Sequence, residues 1–347
     1  MKLVNIHQTI RSKSENRRQT SREQTNTDQK CKLPQLMDKQ ISQKTFKKPP
    51  LQQKSRRIIN SKIPKVEIQL YYGSLSKAGF DGFCEKTNQD REFAEIIDDE
   101  QGIFAVMDGH GTDGDQISTF VRDYFQQYAI KEFKTIDFVK LFASAHSNVA
   151  SHSHFDSLMS GTTATLIVIR DQVIHCAWVG DSRAMLCSKQ QDKLITTELS
   201  IDHKPHLLKE KKRIENQGGA VNTYKLQNGQ SVGPSRVYIK GASFPGLAMS
   251  RSIGDQIAEQ VGVSHVPDIK QHQITRDDLF IIIGSDGLWE FLDNNQIAEI
   301  THQYYLNNDP QGACQKLIQE SKTKWKKFSE GVDDITVIVV FLQNSNT

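Results

Sequence analysis

The chain has 347 residues, 37% of them hydrophobic and 24% charged, with a formal net charge of +3 and a mean hydropathy of −0.54. That length holds one large domain or two average ones, and no run approaches 18 apolar residues, which excludes a helical membrane span. The five cysteines, Cys31, Cys84, Cys176, Cys187 and Cys314, form no Cys-x-x-Cys pair, which excludes a zinc or disulfide framework and points to a reduced, intracellular protein.

The small net charge hides a split. Residues 1–70 carry 17 Lys and Arg against 5 Asp and Glu, and the remainder carries 27 against 36. A basic segment therefore precedes an acidic globule. The start, MKLVNIHQTIRSKSENRR, lacks the apolar core of a signal peptide, and Lys2 stands where N-myristoylation needs Gly. The expected location is cytoplasmic, with the nucleus as the alternative raised by the basic patches Lys47–Pro50 and Lys54–Arg57. Residues 1–62 are rich in Gln, Lys, Ser and Asn without helical or strand period, so they are expected to form a disordered tail. Residues 63–345 are expected to form one catalytic domain.

Order begins with an alternating strand at Val66–Gly73, followed by CEKTNQDREF. The apolar run Ile103–Met107 reads as a buried strand that delivers Asp108 into the turn Gly109-His110-Gly111. Helical stripes follow at Ile117, Phe120, Val121, Tyr124, Phe125 and Tyr128, and at Phe138, Leu141, Phe142, Ala145 and Val149. His146, His152 and His154 show no metal-ligand spacing and are expected at the surface. Strands are predicted at Gly161–Asp171 and Val173–Ser188, joined as a hairpin through Arg170-Asp171-Gln172, and at KLITTELS. A basic helix should end at Gly218-Gly219, and Asn222–Gln256 reads as a turn-rich surface flap. Asp278–Ile300 reads as a buried strand, an Asp-Gly turn and a helix; a last helix and the strand Ile335–Leu342 complete the chain. The elements do not alternate strictly βα, which favours helices layered on antiparallel sheets over a doubly wound or barrel fold.

The chemistry lies where strands meet carboxylates. Asp108 follows IFAVM, Asp286 follows FIIIGS, Asp333-Asp334 precede ITVIVV, and Asp90 sits in NQD. Ionised carboxylates beside a buried sheet are costly unless a cation compensates them. Without Cys or His clusters, all-oxygen ligation suits Mg²⁺ or Mn²⁺, and Gly109 lets its backbone carbonyl come close enough to ligate too. A pair of such ions is the usual device for phosphoester hydrolysis.

The set NQD (Asn88–Asp90), VMDGHG (Val106–Gly111), GTTAT (Gly161–Thr165), VGDSRA (Val179–Ala184), DHKP (Asp202–Pro205), RIENQGGAV (Arg213–Val221), LAMSRSIGD (Leu247–Asp255), GVSHVPDI (Gly262–Ile269), GSDGLWE (Gly284–Glu290) and DDITVIVV (Asp333–Val340) closely resembles the metal-dependent type 2C serine/threonine protein phosphatases. The resemblance implies an α+β fold, a four-layer α-β-β-α sandwich of two mainly antiparallel sheets flanked by helices. It implies hydrolysis of phosphoserine and phosphothreonine by hydroxide activated at a binuclear Mg²⁺ or Mn²⁺ centre, without a covalent intermediate. Asp108 would bridge both ions, Gly109 would ligate through its carbonyl, and Asp90, Asp286 and Asp333 would complete the two shells. Asp181 and Glu290 match positions tied to a third, weaker metal or to metal-bound water, and His110 matches the general acid for the leaving alkoxide.

The sequence departs from that pattern at three places. Gln89 stands where many relatives have Glu, and Asp334 where the family usually has Asn. The phosphate-gripping Arg of many relatives aligns near Glu85, leaving Lys86 as the nearest cation, able to hold phosphate as a point charge but without the fork of Arg. Arg183 and Arg251 are expected to be structural. No Cys has an Arg six residues on, which excludes a Cys-x₅-Arg phosphatase. A pseudophosphatase would not need all four aspartates, and the tail, with Phe46 as its single aromatic residue, is poorly equipped for nucleic acid. The resulting expectation is a monomer acting on phosphorylated proteins, with neither membrane nor nucleic acid as partner and a basic tail suited to an acidic one.

Overall fold

The computed structural model describes residues 65–344 except 227, 228 and 230; the tail, its basic patches, Cys31 and Phe46 lie outside the described residues. In chain order the elements are β1 (Ile68–Lys77), β2 (Asp90–Asp98), β3 (Gln101–His110), α1 (Gly114–Lys131), α2 (Phe138–Ser151), β4 (Gly161–Thr162), β5 (Ala164–Arg170), β6 (Val173–Val179), β7 (Arg183–Gln190) and β8 (Lys193–Glu198). There follow α3 (Leu208–Asn216), β9 (Gly219–Lys225), β10 (Ser231–Ile239), β11 (Pro245–Leu247), β12 (Ile253–Gly254), α4 (Gln256–Glu259) and β13 (Asp268–Gln273). The last are β14 (Asp278–Gly284), α5 (Asp286–Trp289), α6 (Asn294–Tyr305), α7 (Pro310–Phe328) and β15 (Ile335–Asn344).

Two sheets form the centre, one ordered β1-β15-β14-β7-β8, the other β12-β4-β3-β5-β6-β13 with β2 on β3. The strand ladders are antiparallel. The reason these strands read as continuous apolar runs is visible in how their side chains divide. On β3, Ile103, Ala105 and Met107 join α1 and α2 in one core, while Phe104 and Val106 face the second sheet. On β15, Ile338, Val340 and Leu342 enter that same inter-sheet core, while Val337, Val339 and Phe341 pack under α6 and α7. Both faces of each sheet are buried, so the period-2 polar alternation vanishes. Three stacked cores make four layers, α-β-β-α, as the resemblance implies.

The hairpin predicted at Arg170-Asp171-Gln172 is present, with Asp171 and Gln172 at φ 49° and 64°; both central residues of a two-residue turn take positive φ so that its twist matches the strands. Helix α3 closes at Gly218, φ +85°. Three expectations are corrected, and one strand, β2, was not anticipated. Val173–Ser188 is not one strand: β6 and β7 belong to different sheets, and the chain crosses between them at Gly180-Asp181-Ser182. Gly180 has φ +95° and a Cβ there would lie 2.5 Å from Thr163 Cγ2, so no other residue makes this crossing without strain. The Asn222–Gln256 flap contains most of a three-stranded sheet, β11-β10-β9. Asp286-Gly287 opens the short helix α5 instead of a plain turn. Strand β2 carries no clear apolar alternation, and its identity comes from pairing with β3.

Candidate active site

Strand register does the first step of assembly: β2 pairs with β3 so that Asp90 lies directly opposite Asp108. The sheet crossing after β6 supplies Asp181, the end of β14 supplies Asp286, and the approach to β15 supplies Asp333. These five carboxylates sense one another. The Asp108 carboxyl is pushed well above the ordinary range by burial, then by Asp90, Asp286, Asp333 and Asp181. Asp286 is raised by burial, Asp181 and Asp333, against which Lys204 works only in part. Asp90 is raised to about 7, chiefly by burial, although Ser285 donates to its Oδ2 at 2.6 Å.

The cations present are too few for this set. Lys86 Nζ donates to Asp333 Oδ1 at 2.6 Å, and Lys204 Nζ reaches Asp181 Oδ2. Both ammonium groups have raised pKa values: burial opposes their charge, but Asp333 outweighs it for Lys86 and Asp181 for Lys204. Asp90 Oδ1 and Asp181 Oδ1 are buried without a hydrogen-bond partner. Buried carboxylate oxygens left unpaired are rare and call for a missing positive partner. An all-oxygen donor set with orphaned lone pairs fits hard divalent cations.

The turn after Asp108 leaves no freedom. A Cβ on Gly109 would lie 2.3 Å from Gly114 O and 2.7 Å from Gln89 O. Asp108 N donates to Thr163 Oγ1 and Thr163 N donates to Asp108 O, each at 2.9 Å, which fixes the backbone at that aspartate. Two of the three departures from the family pattern have local explanations. Gln89 Nε2 donates to Gly111 O at 2.8 Å, a bond that a glutamate could not make. Asp334 accepts from Gly79 N at 2.6 Å and Gln89 N at 2.9 Å, tying the Lys86 segment to β15.

His110 ends β3 beside these carboxylates. Its Nε2 is 2.7 Å from Asp255 Oδ2, and its Nδ1 is buried without a partner. Burial disfavours the imidazolium, but Asp255 and Asp181 outweigh it and raise the pKa. Asp255 itself is 2% exposed and takes φ +50°. Glu290 stands one helical turn on from Asp286, and its N donates to Asp286 O at 2.9 Å. It is exposed beyond α5 and lines a surface cavity of about 740 Å³ with Arg183, Trp289, Phe291 and Lys324.

Reasoning from sequence assigned no role to Lys204, Asp255, Thr163 or Ser285. Their signal was present, since DHKP, LAMSRSIGD, GTTAT and GSDGLWE each stand out as motifs. His146, expected at the surface, is instead 6% exposed and shares Glu259 with His265. The two rings stack at 4.2 Å and 21°, and each places a nitrogen against one oxygen of Glu259. Near-parallel rings send their in-plane lone pairs side by side and not toward one ion, so this trio reads as a hydrogen-bonded clamp on the segment that carries Asp255.

A double-sheet sandwich with a carboxylate cluster at the strand ends defines the class: a hydrolase of the protein-phosphatase type. The model of the family described as "Protein phosphatase 2C" matches residues 76–325. "Probable protein phosphatase 2C 35" of Arabidopsis thaliana is 31% identical over 303 residues, covering 80% of this chain and 85% of that protein. "Probable protein phosphatase 2C 73" of the same plant is 36% identical, over 60% of this chain and 55% of the relative. The crystal structure of "serine-threonine phosphatase 2C from Toxoplasma gondii" superposes with a TM-score of 0.67 at 21% identity, over 79% of this chain and 95% of that one, a likeness of fold. The chain belongs to the protein phosphatase 2C family and is a serine/threonine protein phosphatase.

Proposed function

We propose that the chain hydrolyses phosphoserine and phosphothreonine in proteins at this carboxylate cluster, using two Mg²⁺ or Mn²⁺ ions and no covalent intermediate. The observation that carries the reading is the excess of carboxylate over cation: Asp90, Asp108, Asp181, Asp286 and Asp333 against Lys86 and Lys204, with Asp90 and Asp181 buried and one oxygen of each unpaired. Asp108 and the Gly109 carbonyl, with Asp90, Asp286 and Asp333, would hold the two ions; Asp181, with Glu290, would serve a weaker third. When bound, the ions lower the pKa of a water and draw charge from the phosphoryl oxygens.

The chain's own residues do the rest. Lys86, at the Asp333 edge, binds the phosphoryl group as a point charge. His110 donates a proton from Nδ1 to the leaving serine or threonine oxygen, with Asp255 orienting the ring through Nε2. The buried thiols support a mechanism without a cysteine nucleophile, because desolvation pushes Cys187 and Cys314 to about 12 and Cys176 higher still. Hydrolysis of p-nitrophenyl phosphate with Mn²⁺, repeated with EDTA and with Asp108→Ala, tests the reading. Activity that survives chelation, or an Asp108→Ala protein at full rate, would overturn it.

A further inference from the structure

Two adjoining cavities run away from the Asp333 edge along α7. The first, about 320 Å³, is lined by Gly79, Phe80, Val332, Lys322, Lys326 and one acidic residue, Glu85. The second, about 440 Å³, continues past Leu75, Lys77 and Ile318 and shares Lys322 and Lys326 with the first. Together they make one groove with an apolar floor and a basic wall.

The groove is tied mechanically to the site. Phe80 N donates to Val332 O and Val332 N to Phe80 O, both at 2.8 Å, and Lys86 N donates to Gly79 O at 3.1 Å. The next residue after Val332 is Asp333. A Cβ on Gly79 would lie 2.3 Å from Val332 O, so the two backbones are in direct contact. The segments that place Lys86 and Asp333 therefore also form the near end of the groove.

Its charge is out of keeping with its surroundings. Residues 71–347 are net acidic, yet Lys77, Lys322 and Lys326 converge here, and none forms an ion pair among the described residues. Lys322 and Lys326 stand four residues apart on one helix face, where like charges repel. Phe80, 41% exposed, leaves apolar surface open beside them. A helix that sets two unpaired lysines over an apolar floor is suited to an acidic chain with apolar residues interleaved. The basic first 70 residues of this protein are excluded as occupant by their own charge.

We infer that this groove docks the segment flanking the phosphorylated residue of the substrate, and that it selects acidic flanks. The inference rests on the function proposed above. From Gln315, which also lines the second cavity, to Lys326 the helix rises about 16 Å, a span that about five extended residues cover. The preferred acidic residues accordingly fall within about six positions of the phosphorylated one.

The test compares phosphothreonine peptides that carry three glutamates within six positions, on either side of the phosphothreonine, with glutamine counterparts and with p-nitrophenyl phosphate. Wild type and Lys322→Glu/Lys326→Glu are assayed with Mn²⁺. The wild type should favour one acidic peptide about ten-fold in kcat/KM, through KM, with the preference shrinking as salt is raised. The double variant should lose that preference and keep its rate on the glutamine peptides and on p-nitrophenyl phosphate. No preference in the wild type, or an equal loss on all substrates in the variant, overturns the docking groove. A wild type that hydrolyses no phosphopeptide at all overturns the proposed function instead.

Discussion

Two groups of buried carboxylates sit in the same sandwich and are treated in opposite ways. Glu210, 2% exposed, is held by Arg251 through bonds of 2.8 and 3.1 Å, by Arg213 at 2.7 Å and by the Ser250 hydroxyl at 2.8 Å. Burial would raise its pKa, but these partners outweigh burial and hold it at about 2. Beside it Asp268, half-exposed and bonded to His203 and Arg251, is likewise held well below the carboxylate range. At the strand ends, Asp90 is buried to the same degree, Asp108 and Asp286 are desolvated though part-exposed, and all three are raised instead. Burial alone therefore does not mark a functional carboxylate. What marks it is burial with the counter-charge withheld.

The comparison breaks most visibly if the compensated group loses its cation. Arg251→Met should cost about 3–5 kcal/mol, because Glu210 would remain buried and charged against Arg213 alone. Urea unfolding at neutral pH measures it, and a loss below about 1 kcal/mol would show that Arg251 is dispensable there. The two groups should also respond to pH with opposite sign. Glu210 contributes stability that is present above pH 4.5 and lost as pH falls through about 2. Asp90 binds its proton more tightly folded than unfolded, so in EDTA its contribution weakens as pH rises from about 4 through 7, by at most about 4 kcal/mol. In EDTA, the wild type should lose stability relative to Asp90→Asn between pH 5 and 8, and Mg²⁺ should abolish the difference. Parallel stability curves would mean that Asp90 carries no such strain.

What the sequence makes legible follows from the same physics. The apolar runs ending in Asp108 and Asp286 are readable because a strand buried on both faces has no polar alternation, so its first carboxylate stands out. Strand β2 is not readable, because Arg91, Glu92 and Glu95 lie on partly exposed positions and its place is set by long-range pairing. Asp255 is hidden for another reason. It follows Gly254 as a turn residue would, and its contact with His110 spans 145 positions. His146 lies on a helical face whose other members are plainly apolar, and its burial depends on Glu259 and His265 arriving from elsewhere.

The uncompensated group should be the more tolerant in stability and the less tolerant in activity. Asp108→Asn removes one of five mutually repelling charges, so in EDTA its melting temperature should equal or exceed that of the wild type. Its rate on p-nitrophenyl phosphate with Mn²⁺ should fall by more than the about 10–100-fold expected for a residue that only supports a metal ligand. A destabilised Asp108→Asn would place Asp108 with Glu210 as a structural carboxylate.

Asp255 shares features of both groups: it is buried like Glu210, yet its partner is a proposed proton donor and not a fixed cation. Its φ of +50° is one that Asn tolerates and Ala does not. Asp255→Asn therefore keeps the backbone and an acceptor for His110 Nε2–H while removing the charge that supports the imidazolium. On a phosphothreonine peptide, whose alkoxide must be protonated to leave, kcat should fall about ten-fold, a part of the 10²–10⁴ that a positioned general acid contributes. On p-nitrophenyl phosphate, whose phenolate leaves as an anion, the rate should hardly change. Asp255→Ala should add a stability loss of about 1–2 kcal/mol from the left-handed backbone, so the split between the two substrates is best read on the Asn variant. An equal loss on both substrates would assign Asp255 to holding the turn at Gly161, where a Cβ would come within 2.4 Å of its Oδ2, and would leave His110 without a proton-donating role.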